Sequence, residues 1–233
     1  MKKKGIILKL CLSGFFLMSG VVASAQWSMG VQAGYTHSYL DISSGYMYDY
    51  KYKPLGGFTV GVPVRYSFFD WLDVQADVSY VQKNYKKQRS SFNGLLSTDT
   101  HNHYLQLPLF ARFSFGGYKV RGFLSAGGYM GYWLSSRVSG IHALSGVFPE
   151  SKDNDIYYFD EKMPFNSGRD NRFEAGLTGG VGVQYQATPK IQFFVEGRYY
   201  HGLTDMQKKY QYGRVPRYNS TIAFQIGCMF NLY

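Results

Sequence analysis

The chain has 233 residues, with 25 Lys and Arg against 15 Asp and Glu, a formal net charge of +10. Beyond the N-terminal segment no apolar run approaches the about 20 residues that a membrane-crossing helix needs, which excludes a helical bundle in a bilayer. Aromatic residues make up 18%, with 22 Tyr beside 27 Gly, a composition suited to strands and turns.

The N-terminus reads MKKKGIILKLCLSGFFLMSGVVASAQ: basic residues, an apolar stretch, then Ala23-Ser24-Ala25. This is the anatomy of a secretory signal peptide and predicts cleavage after Ala25. Removing residues 1–25 would leave 208 of the 233, take Cys11 and four lysines away, and reduce the net charge to +6. Only Cys228 would remain, so no intramolecular disulfide is expected.

After the leader, polar and apolar residues alternate with the period of two that marks a half-buried strand. A first strand over 27–40 sets Trp27, Met29, Val31, Ala33 and Tyr35 against Ser28, Gly30, Gln32, Gly34 and Thr36. A tyrosine-rich loop over 42–55 leads to a second strand over 56–68, and Phe69-Asp70 turns into a third over 71–85. Another polar loop covers 86–101. The fourth strand, 103–115, alternates most cleanly, with Leu105, Leu107, Leu109, Ala111, Phe113 and Phe115 opposite Gln106, Phe110, Arg112 and Ser114. Gly116-Gly117-Tyr118 turns into a glycine-rich fifth strand over 119–134, followed by a long loop over 135–171. The stretch 172–203 is a hairpin of two long strands joined at Ala187-Thr188-Pro189-Lys190. A loop over 204–217 precedes the eighth strand, 218–233.

Soluble strands average about 5 to 6 residues, whereas a tilted strand crossing a bilayer needs about 9 to 11. The connections alternate long and short, as in an outer-membrane barrel with short periplasmic turns and longer outer loops. The expectation is therefore an all-β, eight-stranded antiparallel transmembrane barrel, an up-and-down meander filling residues 26–233. Aromatic girdles are expected from Trp27, Trp71 and Tyr118 at the periplasmic rim and from Tyr39, Tyr85, Tyr104, Trp133 and Tyr200 at the outer rim.

The stretches VQADVSYVQKNYK (74–86), HYLQLPLFARFSF (103–115), EAGLTGGVGVQY (174–185) and IQFFVEGRYYHGLTDM (191–206) resemble the PorT-like outer-membrane proteins common in Bacteroidota. The resemblance spans the mature chain. It implies the barrel fold and location in the outer membrane, and association with secretion or maturation of exported proteins.

Alternation points nine ionisable side chains inward: Arg65, Asp73, Asp77, Lys83, Arg112, Arg121, Glu174, Glu196 and Arg198. An eight-stranded interior is just wide enough to be filled by side chains, so these charges are read as a mutually neutralising plug rather than the lining of a small-solute channel. Near the outer ends lie His37, His101, His103 and His201, with Ser38, Asp99 and Asp205 nearby in sequence. A lipid-modifying enzyme would need one such His within reach of a nucleophile. His101 and His103 offer two ligands for a metal without a third, and no cofactor is called for. The outer loops carry Lys86, Lys87, Arg89, Lys208, Lys209, Arg214 and Arg217, suited to lipopolysaccharide phosphates, and Tyr46, Tyr48, Tyr50 and Tyr52, suited to protein or glycan contact. The expected partners are outer-membrane lipid and lipopolysaccharide, the barrel assembly machinery during biogenesis, and an unspecified protein, but not nucleic acid.

Overall fold

In the computed structural model, residues 26–42, 50–89, 97–143, 156–208 and 215–232 are described. The expected leader, Tyr46, Tyr48, Lys209, Arg214 and the terminal Tyr233 lie outside them.

The described residues form β1 (Gln26–Ile42), β2 (Tyr50–Phe69), β3 (Leu72–Gln82), β4 (Tyr85–Arg89), β5 (Ser97–Gly116), β6 (Val120–Ala143), β7 (Ile156–Met163), β8 (Phe173–Gln186), β9 (Ile191–Gly202) and β10 (Arg217–Leu232). Eight of them close a ring in the order β1, β2, β3, β5, β6, β8, β9, β10, every neighbouring pair antiparallel. The seam is the pairing of β1 with β10, which runs from Trp27↔Leu232 to Ile42↔Arg217. Closure leaves the eight-stranded ring without a free edge, the condition for a strand-built structure in hydrocarbon.

Alternation turns the usual core inside out. Leu105, Leu107, Leu109, Phe113 and Phe115 are exposed on the outer face of β5, while Tyr104, Gln106, Phe110, Arg112 and Ser114 are buried in the lumen. The span from Leu105 to Phe115 covers about 33 Å of strand, or roughly 25 Å of height at a tilt of about 40°, matching the apolar band of an outer-membrane barrel. At the periplasmic end the rings of Trp27 and Tyr66 meet edge-on at 4.9 Å, and Trp71 stacks between Phe69 and Phe113.

The lumen is filled by pairing large side chains with glycines on neighbouring strands. A Cβ on Gly182 would come 2.3 Å from the Phe123 ring, and one on Gly227 2.4 Å from the Phe194 ring. Phe123, Phe194 and Met229 consequently pack together, fully enclosed. The tight turn after β5 uses Gly116 at φ +117°, a backbone region that side chains disfavour.

Several expected boundaries are corrected. Residues 50–55, expected in a loop, open β2, and residues 86–89 and 97–101 belong to β4 and β5. Residues 135–143 prolong β6, and β7 pairs back onto them from Ser136↔Met163 to Ala143↔Ile156. The first periplasmic turn is Asp70-Trp71, because Phe69 pairs with Leu72. Tyr104, Trp133 and Tyr200 do not join the outer girdle: all three rings lie inside the barrel.

Strand β4 continues β3 past a break at Lys83-Asn84. The registers Thr59↔Val81 and Pro54↔Tyr85 differ by one residue, so β2 holds an extra residue between them and its alternation switches. Asn84 secures the break, donating from Nδ2 to the Gly56 carbonyl at 2.7 Å and accepting from the Asn102 amide at 3.2 Å. Beyond the band, the upper parts of β2, β4, β5, β6 and β7 hydrogen-bond side by side. They form a curved wall on one side of the outer mouth.

Candidate functional site

Inside the barrel, Arg198 on β9 is the hub. Its guanidinium grips Glu196, with Nε 2.9 Å from Oε1 and Nη2 2.7 Å from Oε2, and reaches across the lumen to Asp77 Oδ2 at 2.6 Å. None of the three side chains has any exposed surface. Gln32 Nε2 donates to Asp77 at 3.0 Å, Ser125 donates to Glu196 at 3.0 Å, and the Phe110 ring lies 4.4 Å beneath the Arg198 guanidinium. Strands β1, β3, β5 and β6, none of them paired with β9, thus supply four-way support that the two-residue spacing of Glu196 and Arg198 alone does not reveal.

Nearer the outer mouth Lys83 is ion-paired with Glu174. The same carboxylate accepts from the Tyr129 hydroxyl at 2.6 Å and from Asn219 Nδ2 at 2.8 Å. Lys83 Nζ sits 5.0 Å and 4.7 Å from the centres of the Tyr104 and Tyr129 rings. Lys83 continues the inward alternation of Asp77, Ser79 and Val81, which carries this ammonium into the lumen. Above it, Leu40, Ile42, Tyr104, Trp133 and Met206 form an apolar lid, flanked by Tyr52, Tyr85, Phe165 and Val215.

Toward the periplasm, Arg65 Nε and Arg112 Nη1 both donate to the single Gln75 Oε1, at 3.1 and 3.3 Å. Arg112 also lies 3.3 Å above the Phe123 ring and bonds Gln184. Asp73 is buried close by on β3, opposite Arg112 in register. Arg121 is only half-buried, at the periplasmic lip. Eight of the nine inward charges are therefore buried, and they balance at four positive and four negative.

The wall above the membrane carries the basic and aromatic residues. Lys87 Nζ rests 3.8 Å from the centre of the Tyr50 ring, with the Arg89 guanidinium 6.0 Å away on the same ring. Burial first, and then the charge of Arg217, lowers the pKa of the Lys87 ammonium. Tyr52 packs against Tyr85 with ring centres 6.0 Å apart, so it is not freely presented. Lys86 is paired with Asp99 at 3.3 Å, and Arg137 with Asp160 at 2.6 Å across β6 and β7. Lys208 donates its backbone amide to the Arg169 carbonyl, and the Arg217 amide bonds Asp205 at 3.1 Å.

In the turn before β8, the Asn166 amide and Arg169 Nε donate to Asp170 at 2.8 and 2.7 Å. Burial alone would raise this carboxyl's pKa, but these donors and the Arg169 charge hold it below its ordinary value.

Of the histidines, His103 Nδ1 meets the Tyr80 hydroxyl, and His201 Nδ1 lies 3.3 Å from Ser220 Oγ. The second contact joins residues directly opposite on β9 and β10. No nearness in sequence pointed to it; register alone creates it. Among the described residues no group of three or more His, Cys, Asp or Glu converges as metal ligands.

The family described as "Outer membrane protein beta-barrel domain" matches residues 22–208. In backbone the chain is similar to Neisserial surface protein A, at 15% identity and TM-score 0.42, covering 87% of this chain and 96% of that one. It is also similar to OprG from Pseudomonas aeruginosa, at 12% identity and TM-score 0.47, covering 88% and 96%. A third likeness is to the outer membrane protease OmpT from Escherichia coli, at 13% identity and TM-score 0.48, covering 89% and 96%. No curated protein matches in sequence.

Proposed function

The chain belongs to the outer membrane protein beta-barrel domain family, and from that premise we propose that it is a PorT-like, non-catalytic barrel of the Bacteroidota type, acting through its outer surface as an interaction protein. In this reading residues 1–25 direct export and are removed, and the partners are polypeptides undergoing secretion or maturation. Lipopolysaccharide phosphates at Lys87 and Arg89 of the wall and at Arg217 on β10 anchor it in its leaflet.

The observation that carries the reading is the packed lumen. With Arg198, Asp77 and Glu196 wholly unexposed and an apolar lid above them, work on a partner falls to surfaces outside the ring. The raised wall supplies such a surface, its Tyr158 being 72% exposed on β7. Recognition surfaces favour tyrosine beside basic side chains.

The test is crosslinking in native outer membranes followed by purification, comparing the intact chain with one in which residues 141–158 are replaced by Asn-Gly. Gly140 and Phe159 are paired neighbours, so this trims the hairpin without touching the ring. The expected result is a defined set of exported polypeptides lost with the hairpin. An identical set from both chains would contradict the proposal.

A second reading, lipid modification, rests on the contact between His201 and Ser220 at the outer, membrane-facing rim. Ser220 is 1% exposed beneath Tyr39 and Tyr199, which opposes it. A nucleophile must meet its substrate.

A further inference from the structure

The four buried cations of the lumen are not treated alike. Lys83 and Arg198 each have a carboxylate partner. Arg65 and Arg112 have none among the described residues, and neither has Arg121 at the lip. Arg65 and Arg112 instead share one neutral amide oxygen, that of Gln75, and use Gln192 and Gln184 for further bonds. Two guanidiniums converge on one amide dipole, with Asp73 close by on β3 and no ion pair to it among the described residues. Buried charges are ordinarily paired, because an uncompensated one loses its hydration without recompense.

Each of the three arginines also keeps an N–H without a protein acceptor: Nη2 of Arg65, Nε of Arg112 and Nε of Arg121. Ser114 Oγ, on the same level, is unpartnered as well. Arg65 is 4% exposed and Ser114 6%, so both are deep groups. Arg65, Ser114, Arg121 and Gln192 line a cavity of about 250 Å³. It adjoins a second space of about 450 Å³ at the periplasmic mouth, which shares Arg121, Gln184, Gln192 and Asn231. Asp73 within and Asp70 at the lip also line the inner cavity, so its lining holds two guanidiniums and two carboxylates, while Arg112 bonds Gln184 of the same lining.

We propose that this periplasmic vestibule binds a small oxyanion, a carboxylate or a phosphate, between the guanidiniums of Arg65 and Arg121. Planar guanidinium forks recognise both groups bidentately, and a partly enclosed site strengthens the contact. The amides of Gln184, Gln192 and Asn231 then face the remainder of the ligand and suit hydroxyl or carbonyl groups. Size restricts it to inorganic phosphate or a small organic acid. The vestibule opens opposite the outer wall, so this site stands independently of the function proposed above.

The experiment uses the whole barrel in lipid nanodiscs. Inorganic phosphate and citrate are titrated in separate arms at constant ionic strength, with chloride as the balancing ion. Arginine Nε–H resonances and calorimetry are followed together. The expected result is saturation in at least one arm, with shifts in the Arg121 and Arg65 signals, and affinity reduced at least tenfold in Arg121→Gln. Saturation in the phosphate arm alone assigns a phosphate, and in the citrate arm alone an organic acid. Arg121 lies at the lip and holds no ion pair among the described residues, so its variant tests the site even if Arg65→Gln does not fold. A response that rises linearly and equally with chloride, or saturable binding unchanged in Arg121→Gln, would overturn the proposal.

Discussion

At the scale of single residues, the lumen is governed by how few side chains carry its charge balance. Arg198 alone neutralises parts of both Asp77 and Glu196. Replacing it by Ala leaves two carboxylates buried and unpaired, and we expect a loss of about 3 to 5 kcal/mol. Arg198→Lys keeps one charge but not the fork, so it should fall between Ala and wild type. Urea unfolding in lipid vesicles measures both. A loss under about 1 kcal/mol for the Ala variant would mean that water reaches the lumen and that the network is not sealed. The sequence made the inward set visible, because strict alternation names every second residue. It did not reveal the partners: Arg198 finds Asp77 121 positions away, a fact only ring closure creates.

Elements show the same division between pattern and register. Strand β5 was legible from its leucines, and a charge placed on its lipid face should destabilise the barrel. Leu107→Arg is expected to cost about 2 to 4 kcal/mol if it lies near the midplane. At the adjoining position Gln106→Leu is expected to change stability by less than about 1 kcal/mol, since both amide atoms of Gln106 lack protein partners. Equal effects at the two positions, measured by the same unfolding experiment, would reverse the face assignment. The upper strands were illegible for a physical reason. Outside the membrane neither face must be apolar, so residues 135–143 and 156–163 lose the alternation that marks the lower strands and read as loop. The extra residue in β2 hid itself similarly, since Gly56-Gly57 carries no side chain by which to register a change of face.

For the whole molecule, the lumen divides into three levels: an arginine-rich vestibule, a neutralised charge layer, and an apolar lid under an asymmetric outer wall. Only the middle level was foreseeable from composition, as an eight-stranded interior must be filled and its charges must balance. The wall arises from uneven strand lengths, 24 residues in β6 against 12 in β9, which the loop boundaries obscured. The central claim is that the barrel is shut, so that its work is done at its surfaces. Recording current across planar bilayers holding the purified barrel tests it most directly. The account predicts silent bilayers at moderate voltage for the wild-type chain. Stable, reproducible unitary steps from that chain would contradict it and restore the small-solute channel.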